Sequence, residues 1–384
     1  MRLLIYELKK NVFRVSLFLL LVAFLGIDIY KIHENIRLFG SRPPYEEGGI
    51  FEEFKGELTL QKIQEALDYQ KKMSAVIASG SFSTDTPSDE FFDGYAFGDY
   101  NNINYIVEIY DGLYHYPQEI EAIKARADEN IAFYTGKSDY EVNKNNLIKS
   151  LYSGRKITVF GRYNTFELYF DYEFSSLLII VLMVFAFSAA FASEKVTGTN
   201  KIMISCGQAR SVFWAKHLSM YLFIFVITVL FSVTDLMIFG SVYGLEYIEQ
   251  PLYAMEGYRY APFAVTVLGA VLLSMLGKVI AFIFVGEVIM LISTFFKNIG
   301  ACIAVCLAGI LGIILISERL PESISPISLV NAETQLQSFS TVNIFSLAIP
   351  APLVTIIISI ALTVIINIIC YIRAFPRIKI GGAT

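Results

Sequence analysis

The chain has 384 residues, 55% of them apolar and only 17% charged, with a mean hydropathy of +0.56. That balance excludes a soluble globular domain of this length and directs the search to membrane-spanning segments. The formal net charge of −5 is unevenly placed: residues 31–173 carry 15 basic and 24 acidic side chains, the remainder 15 and 11.

Six stretches meet or approach the roughly 20 apolar residues a spanning helix needs: 12–30, 174–193, 218–240, 262–294, 300–316 and 346–372. An open sheet cannot cross lipid, and no alternating segments of about ten residues occur, so the spans are read as helices. The fold class is an α-helical polytopic membrane protein with six transmembrane helices and a mainly helical extracellular domain between helices 1 and 2.

In chain order, Met1, Leu4, Leu8 and Val12 recur at three- or four-residue spacing, with Lys9 and Lys10 on other faces. Residues 1–11 predict a short amphipathic helix on the inner leaflet, the other reading being a plain extension of the first span. No small-x-small site follows the apolar core of 12–30, so it is read as an uncleaved anchor. Asp28 near its far end is expected to reach headgroups.

Residues 31–173 are long enough to hold a core of their own and contain no cysteine. Thr59 reads as the N-cap of a helix to Ile77, with Leu60, Ile63 and Leu67 on its apolar side. Helices are expected over 103–113, 117–134 and 140–152, the first with Tyr105, Ile106, Ile109, Tyr110 and Leu113 on one face. Residues 80–101 read as loop, and 156–160 and 166–170 as the strands of a small hairpin.

After the span 174–193 comes a loop, 194–217, then the span 218–240 and an outer loop, 241–261. The segment 262–294 is too long for one upright span. It either begins as an interfacial turn or breaks near Gly269 or Gly277. An inner turn, 295–299, leads to 300–316, an outer loop, 317–345, the span 346–372 and a tail, 373–384. Arg2, Lys9, Lys10 and Arg14, then Lys195, Lys201, Arg210, Lys216 and Lys297, then Arg373, Arg377 and Lys379 mark one side as cytoplasmic; the opposite short loops each hold one Arg against three Glu. Both termini are therefore expected in the cytoplasm.

The loop after the second span reads Glu194-Lys-Val-Thr-Gly-Thr, then Ile202, Met203 and Ile204, then Gly207-Gln-Ala-Arg210 and Lys216. Gly198 permits a tight turn, Thr199 is expected to cap a short helix, and Ile202–Ile204 form an apolar cluster with Lys201 and Arg210 at its rim. This pattern resembles the cytoplasmic loop of ABC-2-type ABC transporter permeases, Gram-positive bacterial type, as does the order of parts: inner amphipathic start, one span, outer domain, five spans. The resemblance implies a permease subunit of an ATP-driven exporter in the bacterial plasma membrane. The loop would carry the coupling helix, with Glu194, Lys195, Gly198, Thr199, Arg210 and Lys216 as ATPase-coupling residues. ATP and Mg would be bound by two partner ATPase subunits, and a second permease, identical or homologous, would complete the path among membrane lipids. Family members export lipids, polysaccharides, drugs or antimicrobial peptides; the acidic, Tyr- and Phe-rich outer domain points to an amphiphile. The other reading of the loop is an ordinary positive-inside connector, and the alternative function is a membrane-anchored receptor sensing a ligand through the outer domain.

No catalytic residue is assigned. His33, His115 and His217 are scattered, Gly136-Lys-Ser138 lacks the earlier glycine of a phosphate loop, and no Gly-x-Ser-x-Gly occurs. The chain is read as a transport subunit, with no cofactor or metal of its own and no nucleic-acid partner. Asp235 is expected to reach headgroups like Asp28. Lys278 and Glu287 lie deeper and about 180° apart on one helix, so they cannot pair; each is a candidate for a translocation path or an interface, with snorkelling or structural pairing the other reading. Ala304, Ala308 and Gly312 recur every four residues and predict a helix-packing face. Cys302 and Cys306 read as small packing residues.

Overall fold

The computed structural model describes residues 2–39, 49–79, 91–92, 94–321, 323–337 and 339–375. Six helices among them are long and apolar enough to cross a membrane, so the chain is a polytopic helical membrane protein. Helix α1 (Arg2–Asn11) stops before α2 (Val15–Phe39), the first span. The stop has a local cause: Arg14 folds back, donating to the Lys10 carbonyl and to Asn11 Oδ1. Thus α1 is a helix in its own right. It lays Glu7 and Asn11 on the bundle and turns Leu3, Ile5 and Tyr6 outward.

The inserted domain contains α3 (Gly49–Phe54), β1 (Gly56–Glu57), α4 (Leu60–Ser79), α5 (Ala96–Tyr134), α6 (Asp139–Leu151), β2 (Val159–Phe160) and α7 (Asn164–Asp171). Thr59 Oγ1 accepts from the Lys62 N–H at 3.2 Å, the expected cap. Three expectations are corrected. The helices over 103–113 and 117–134 are one 39-residue helix that runs through Pro117. Proline removes one backbone donor there, but Leu113, Tyr116 and Ile120 are buried, and the Tyr116 hydroxyl donates to the Arg259 carbonyl at 3.0 Å. Packing outweighs the lost bond. Residues 166–170 are helical, because Phe166, Tyr169 and Phe170 are buried on one side of a turn, and β2 pairs instead with β1. The loop expected over 80–101 becomes helix from Ala96; residues 80–90 lie outside the described residues.

The domain does not close its core alone. Leu252, Met255, Tyr258, Ala261 and Leu336, all from later connections, join Phe51, Ile106, Tyr110 and Phe170 in one cluster. Arg155 fastens the two parts: it is buried, donates to the carbonyls of Ala261 at 2.6 Å and Pro262 at 2.9 Å, and stacks on Tyr152.

The second span joins α8 (Phe174–Phe187) and α9 (Ala189–Thr197) across Ser188, whose carbonyl accepts from Cys302 Sγ at 3.1 Å. Next come the short α10 (Thr199–Ser205) and the long α11 (Ala209–Tyr243), which is the third span. The fourth span, α12 (Val267–Ser293), begins where Thr266 Oγ1 accepts from the Gly269 N–H at 3.1 Å, after an extended approach in which Thr266 bridges Pro251. It is unbroken at Gly277. A Cβ there would sit 2.8 Å from the Leu329 carbonyl oxygen, so this glycine serves close approach rather than bending.

The fifth span, α13 (Ile299–Ser317), starts at Asn298, whose Oδ1 accepts from the Ala301 N–H. Its buried stripe is Cys302, Cys306 and Ile310; Ala304 and Ala308 are exposed and Gly312 half-exposed, with nothing within 4 Å of a Cβ at Gly312. Among the described residues the small-residue face is left uncovered. A 3-10 turn (Pro326–Val330), α14 (Ala332–Gln337) and a hairpin of β3 (Thr341–Ile344) and β4 (Leu347–Pro350) precede the sixth span, α15 (Ala351–Ala374). The hairpin takes residues 346–350 out of the expected span and rests on α6 through Tyr140 and Asn143.

Candidate functional site

One end of the bundle gathers α1, α9, α10, the start of α11, Thr294–Phe295 and Arg373. There the Lys216 ammonium is fully buried. It lies 2.5 Å from Glu194 Oε1 and 3.1 Å from Glu7 Oε2, and donates to the Ala190 carbonyl at 3.0 Å. Lys10 reaches the same Glu194 oxygen at 3.0 Å, and Asn11 donates to Glu7. Two lysines and two glutamates from three helices thus neutralise one another, with only Lys10 partly open to water. Burial works against the charge on Lys10, but Glu194 and Glu7 outweigh it and hold the ammonium above its usual 10.5.

This arrangement divides the six coupling candidates. Glu194 and Lys216 face each other inside the chain, so Lys216 does not reach out to an ATPase or to lipid, as expected from sequence; its ammonium meets the Ala190 carbonyl and lies 5.5 Å from the Phe191 ring centre. Lys195 donates to the Thr294 carbonyl and ties the second span to the end of the fourth. Gly198 adopts φ +71 and closes α9 while opening α10. Thr199 is the first residue of α10 and not its cap: its hydroxyl bonds that of Thr197 at 2.5 Å. Arg210 is exposed.

Helix α10 stands off this base. None of its seven residues is buried, and Ile202 is 62% exposed beside exposed Lys201. Its far end closes with two bonds, Gly207 N–H to the Ile204 carbonyl and Gln208 N–H to the Met203 carbonyl, with Gly207 at φ +68. A short helix is thereby fixed at both ends by left-handed glycines and presents an apolar side chain with no cover.

Two polar clusters lie between the spans. In the first, Asp28 of α2, Asp235 of α11 and Lys278 of α12 are all buried at mutual Coulombic range. The Tyr172 hydroxyl donates to Asp28 Oδ1 at 2.8 Å, and the Lys278 ammonium lies 5.4 Å from the Tyr169 ring centre. Asp28 and Asp235 do not reach headgroups, which corrects the expectation from their position near span ends. Two carboxylates against one ammonium leave a surplus negative charge that one proton would neutralise.

In the second cluster, Glu287 of α12 accepts from the Tyr221 hydroxyl at 2.5 Å and from Asn367 at 3.3 Å, and lies 3.2 Å from His217 Nε2. His217 Nδ1 is 3.0 Å from the Phe213 carbonyl, which commits that nitrogen as donor. The Nε2–carboxylate contact is then favourable when a further proton sits on one of the two. Lys278 and Glu287 are indeed unpaired with each other, each meeting a different pair of neighbouring helices. Sequence reading missed His217, Tyr221 and Asn367, which have no spacing signature, and underrated Asp28 and Asp235, which were visible as ionisable residues inside spans.

Among the described residues no group of three or more His, Cys, Asp or Glu side chains is arranged to hold a metal. No family model matches the chain, and neither a curated protein nor a solved structure matches it.

Proposed function

We propose that the chain is the membrane-spanning permease subunit of an ATP-driven exporter, powered by separate ATPase subunits that bind ATP and Mg and dock on α10. The observation that carries this reading is the contrast between α10 and its base. The helix is short, uncovered and tipped by Ile202, while the ends of α9 and α11 that hold it are locked by the buried Glu194–Lys216–Glu7–Lys10 network. A contact that transmits force must be fixed to the spans and free on its outer face, and a connector that only met lipid would need no such anchorage. In this reading α10 and both termini are cytoplasmic and the inserted domain is extracellular, in a bacterial plasma membrane. A second permease, identical or homologous, completes the path.

The cargo is an amphiphile: an antimicrobial peptide, a drug or a lipid. The inserted domain exposes Tyr95, Phe97, Tyr105, Tyr114 and Phe133 on an acidic segment, a surface suited to cationic amphiphiles. Co-purification of the chain from its native membrane with whatever ATPase accompanies it, followed by an ATPase assay with cationic peptides, tests the reading. Association and stimulated hydrolysis are expected, both lost with Ile202→Asp while the variant still inserts. Failure of wild type to retain any ATPase, or full retention by the variant, would end it.

A further inference from the structure

At the end of the bundle that carries α10, a groove of about 400 Å³ opens between the first, second and fifth spans. Arg14, just before α2, and Ile299, the first residue of α13, stand at one end of it; Leu17, Leu20, Phe185 and Ile303 continue its lining. Leu17 and Leu20 lie three and six residues beyond Arg14, ~4.5 and ~9 Å further along the axis at helical rise. Arg14 is the one charged side chain among the lining residues.

That guanidinium is only partly used by the chain. Nε donates to the Lys10 carbonyl, and one N–H on Nη2 goes to Asn11 Oδ1 at 3.3 Å. The three N–H groups left on Nη1 and Nη2 have no partner among the described residues, and no carboxylate of those residues lies within 4 Å of them. Glu7, joined to Arg14 through Asn11, is already held by Lys216. One edge of the guanidinium is therefore open in the geometry that matches a phosphate, and everything beyond it is apolar.

The surroundings say what fills the groove. Phe13 and Val15, on either side of Arg14, are 72% and 76% exposed, and Phe18 and Leu19 continue that face of a spanning helix, so the groove opens on bilayer and not on water. Helix α1, with Leu3, Ile5 and Tyr6 turned outward, lies beside it as an interfacial helix does, which puts Arg14 at headgroup depth. A soluble anion would leave the apolar lining uncovered, and a neutral hydrocarbon would leave the guanidinium unanswered. A cavity of about 150 Å³ takes benzene, so this one has room for roughly sixteen carbons, the size of one acyl chain.

We infer that this groove binds one anionic phospholipid, its phosphate on the open edge of Arg14 and one acyl chain along Leu17, Leu20, Phe185 and Ile303. The site is independent of the ATP-driven reading and would serve an exporter or a receptor alike.

Trp214 is the only tryptophan, so Trp214→Phe combined with Phe185→Trp places the sole indole in the groove. This full chain is reconstituted in vesicles of dioleoylphosphatidylcholine with increasing fractions of phosphatidylglycerol brominated on its acyl chains, which quenches indole fluorescence on contact. Quenching should run ahead of the phosphatidylglycerol fraction, corresponding to a preference of about tenfold over phosphatidylcholine, the factor that a hydrogen-bonded charge gives. Arg14→Gln in the same background should return quenching to the bulk fraction. Arg14→Lys, which keeps the charge but not the bonds that fold Arg14 back, should retain most of the preference. Ser16→Phe crowds the groove from an exposed position, should also remove the preference, and keeps the test available should Arg14→Gln misfold. Several outcomes would overturn the inference: quenching that only follows the bulk fraction, a preference that survives Arg14→Gln or Ser16→Phe, or one lost as fully with Lys as with Gln. So would reversal by glycerol 3-phosphate, which would assign the site to a soluble phosphate, and a reporter that no lipid quenches, which would mean that protein covers the groove.

Discussion

Lys216 Nζ lies 2.5 Å from Glu194 Oε1 in a site where neither side chain is more than 4% exposed. Removing one partner of such a pair leaves the other as an uncompensated buried charge, a loss of about 3–5 kcal/mol. Lys216→Met takes the buried ammonium from both Glu7 and Glu194, leaving Glu194 with the partly exposed Lys10 alone, and should lower the unfolding midpoint in detergent by an amount at the low end of that range. Adding Glu194→Gln and Glu7→Gln to Lys216→Met should recover most of the loss, because apolar or neutral groups then replace the charges. If Lys216→Met alone unfolds like wild type, the network does not anchor α10.

Arg155 holds the inserted domain to the approach of the fourth span through two carbonyls at 2.6 and 2.9 Å. Bonds to a charged donor are worth about 1.5–3 kcal/mol each, and Arg155→Ala also leaves the Ala261 and Pro262 carbonyls short of a partner. The expected outcome is a domain that comes away from the loop at 244–266 and is cut there by protease far faster than wild type, with the six spans still inserted. Unchanged cleavage would show that the shared core, not Arg155, holds the parts together.

The spans were legible because about 20 apolar residues in a row have one cheap solution in lipid, and two of their limits moved where a local contact intervened. Arg14 split α1 from the first span, and the Phe345–Ser346 turn, with both residues at positive φ, made a hairpin out of the expected start of the sixth. Helix α10 was legible through its glycines. The role of Lys216 was not, since sequence places residues on a face but does not say what covers it. The polar clusters join α2, α11, α12 and α15, so their partners lie up to 250 positions apart, as with Asp28 and Lys278, and only the packing of the bundle brings them together.

Glu167 gives the domain a pH dependence of definite sign. Its carboxyl is held above the ordinary 4.5, first by burial and then by Glu256. The folded state therefore binds its proton more tightly than the unfolded chain does, and the stability that proton confers is complete below pH 4.5 and is lost as pH rises through the folded value. Glu167→Gln should raise the unfolding midpoint at pH 7 and leave it nearly unchanged at pH 4. Equal shifts at the two pH values would assign the effect to packing and not to the charge.

The coupling role proposed for α10 can be tested at a side chain already in place. Cys206 ends the helix and is exposed, whereas Cys302, Cys306 and Cys370 are buried. A maleimide should therefore modify the native membrane-embedded chain at Cys206 and spare the other three. If an ATPase seats on Ile202, its binding should slow that labelling, and the protection should vanish with Arg210→Glu, which reverses an exposed charge near the far end of the contact. Gly198→Val tests the geometry separately: nothing lies within 4 Å of a Cβ at that position, so the variant introduces no clash, yet φ +71 is strained for a β-branched residue by about 1–3 kcal/mol. Relief of that strain tilts α10 away from its base. Cys206 should stay reactive in this variant with or without the ATPase, and hydrolysis should no longer respond to cargo. Labelling of wild-type Cys206 that the ATPase does not slow would place the docking surface elsewhere and reduce the 194–216 segment to a connector.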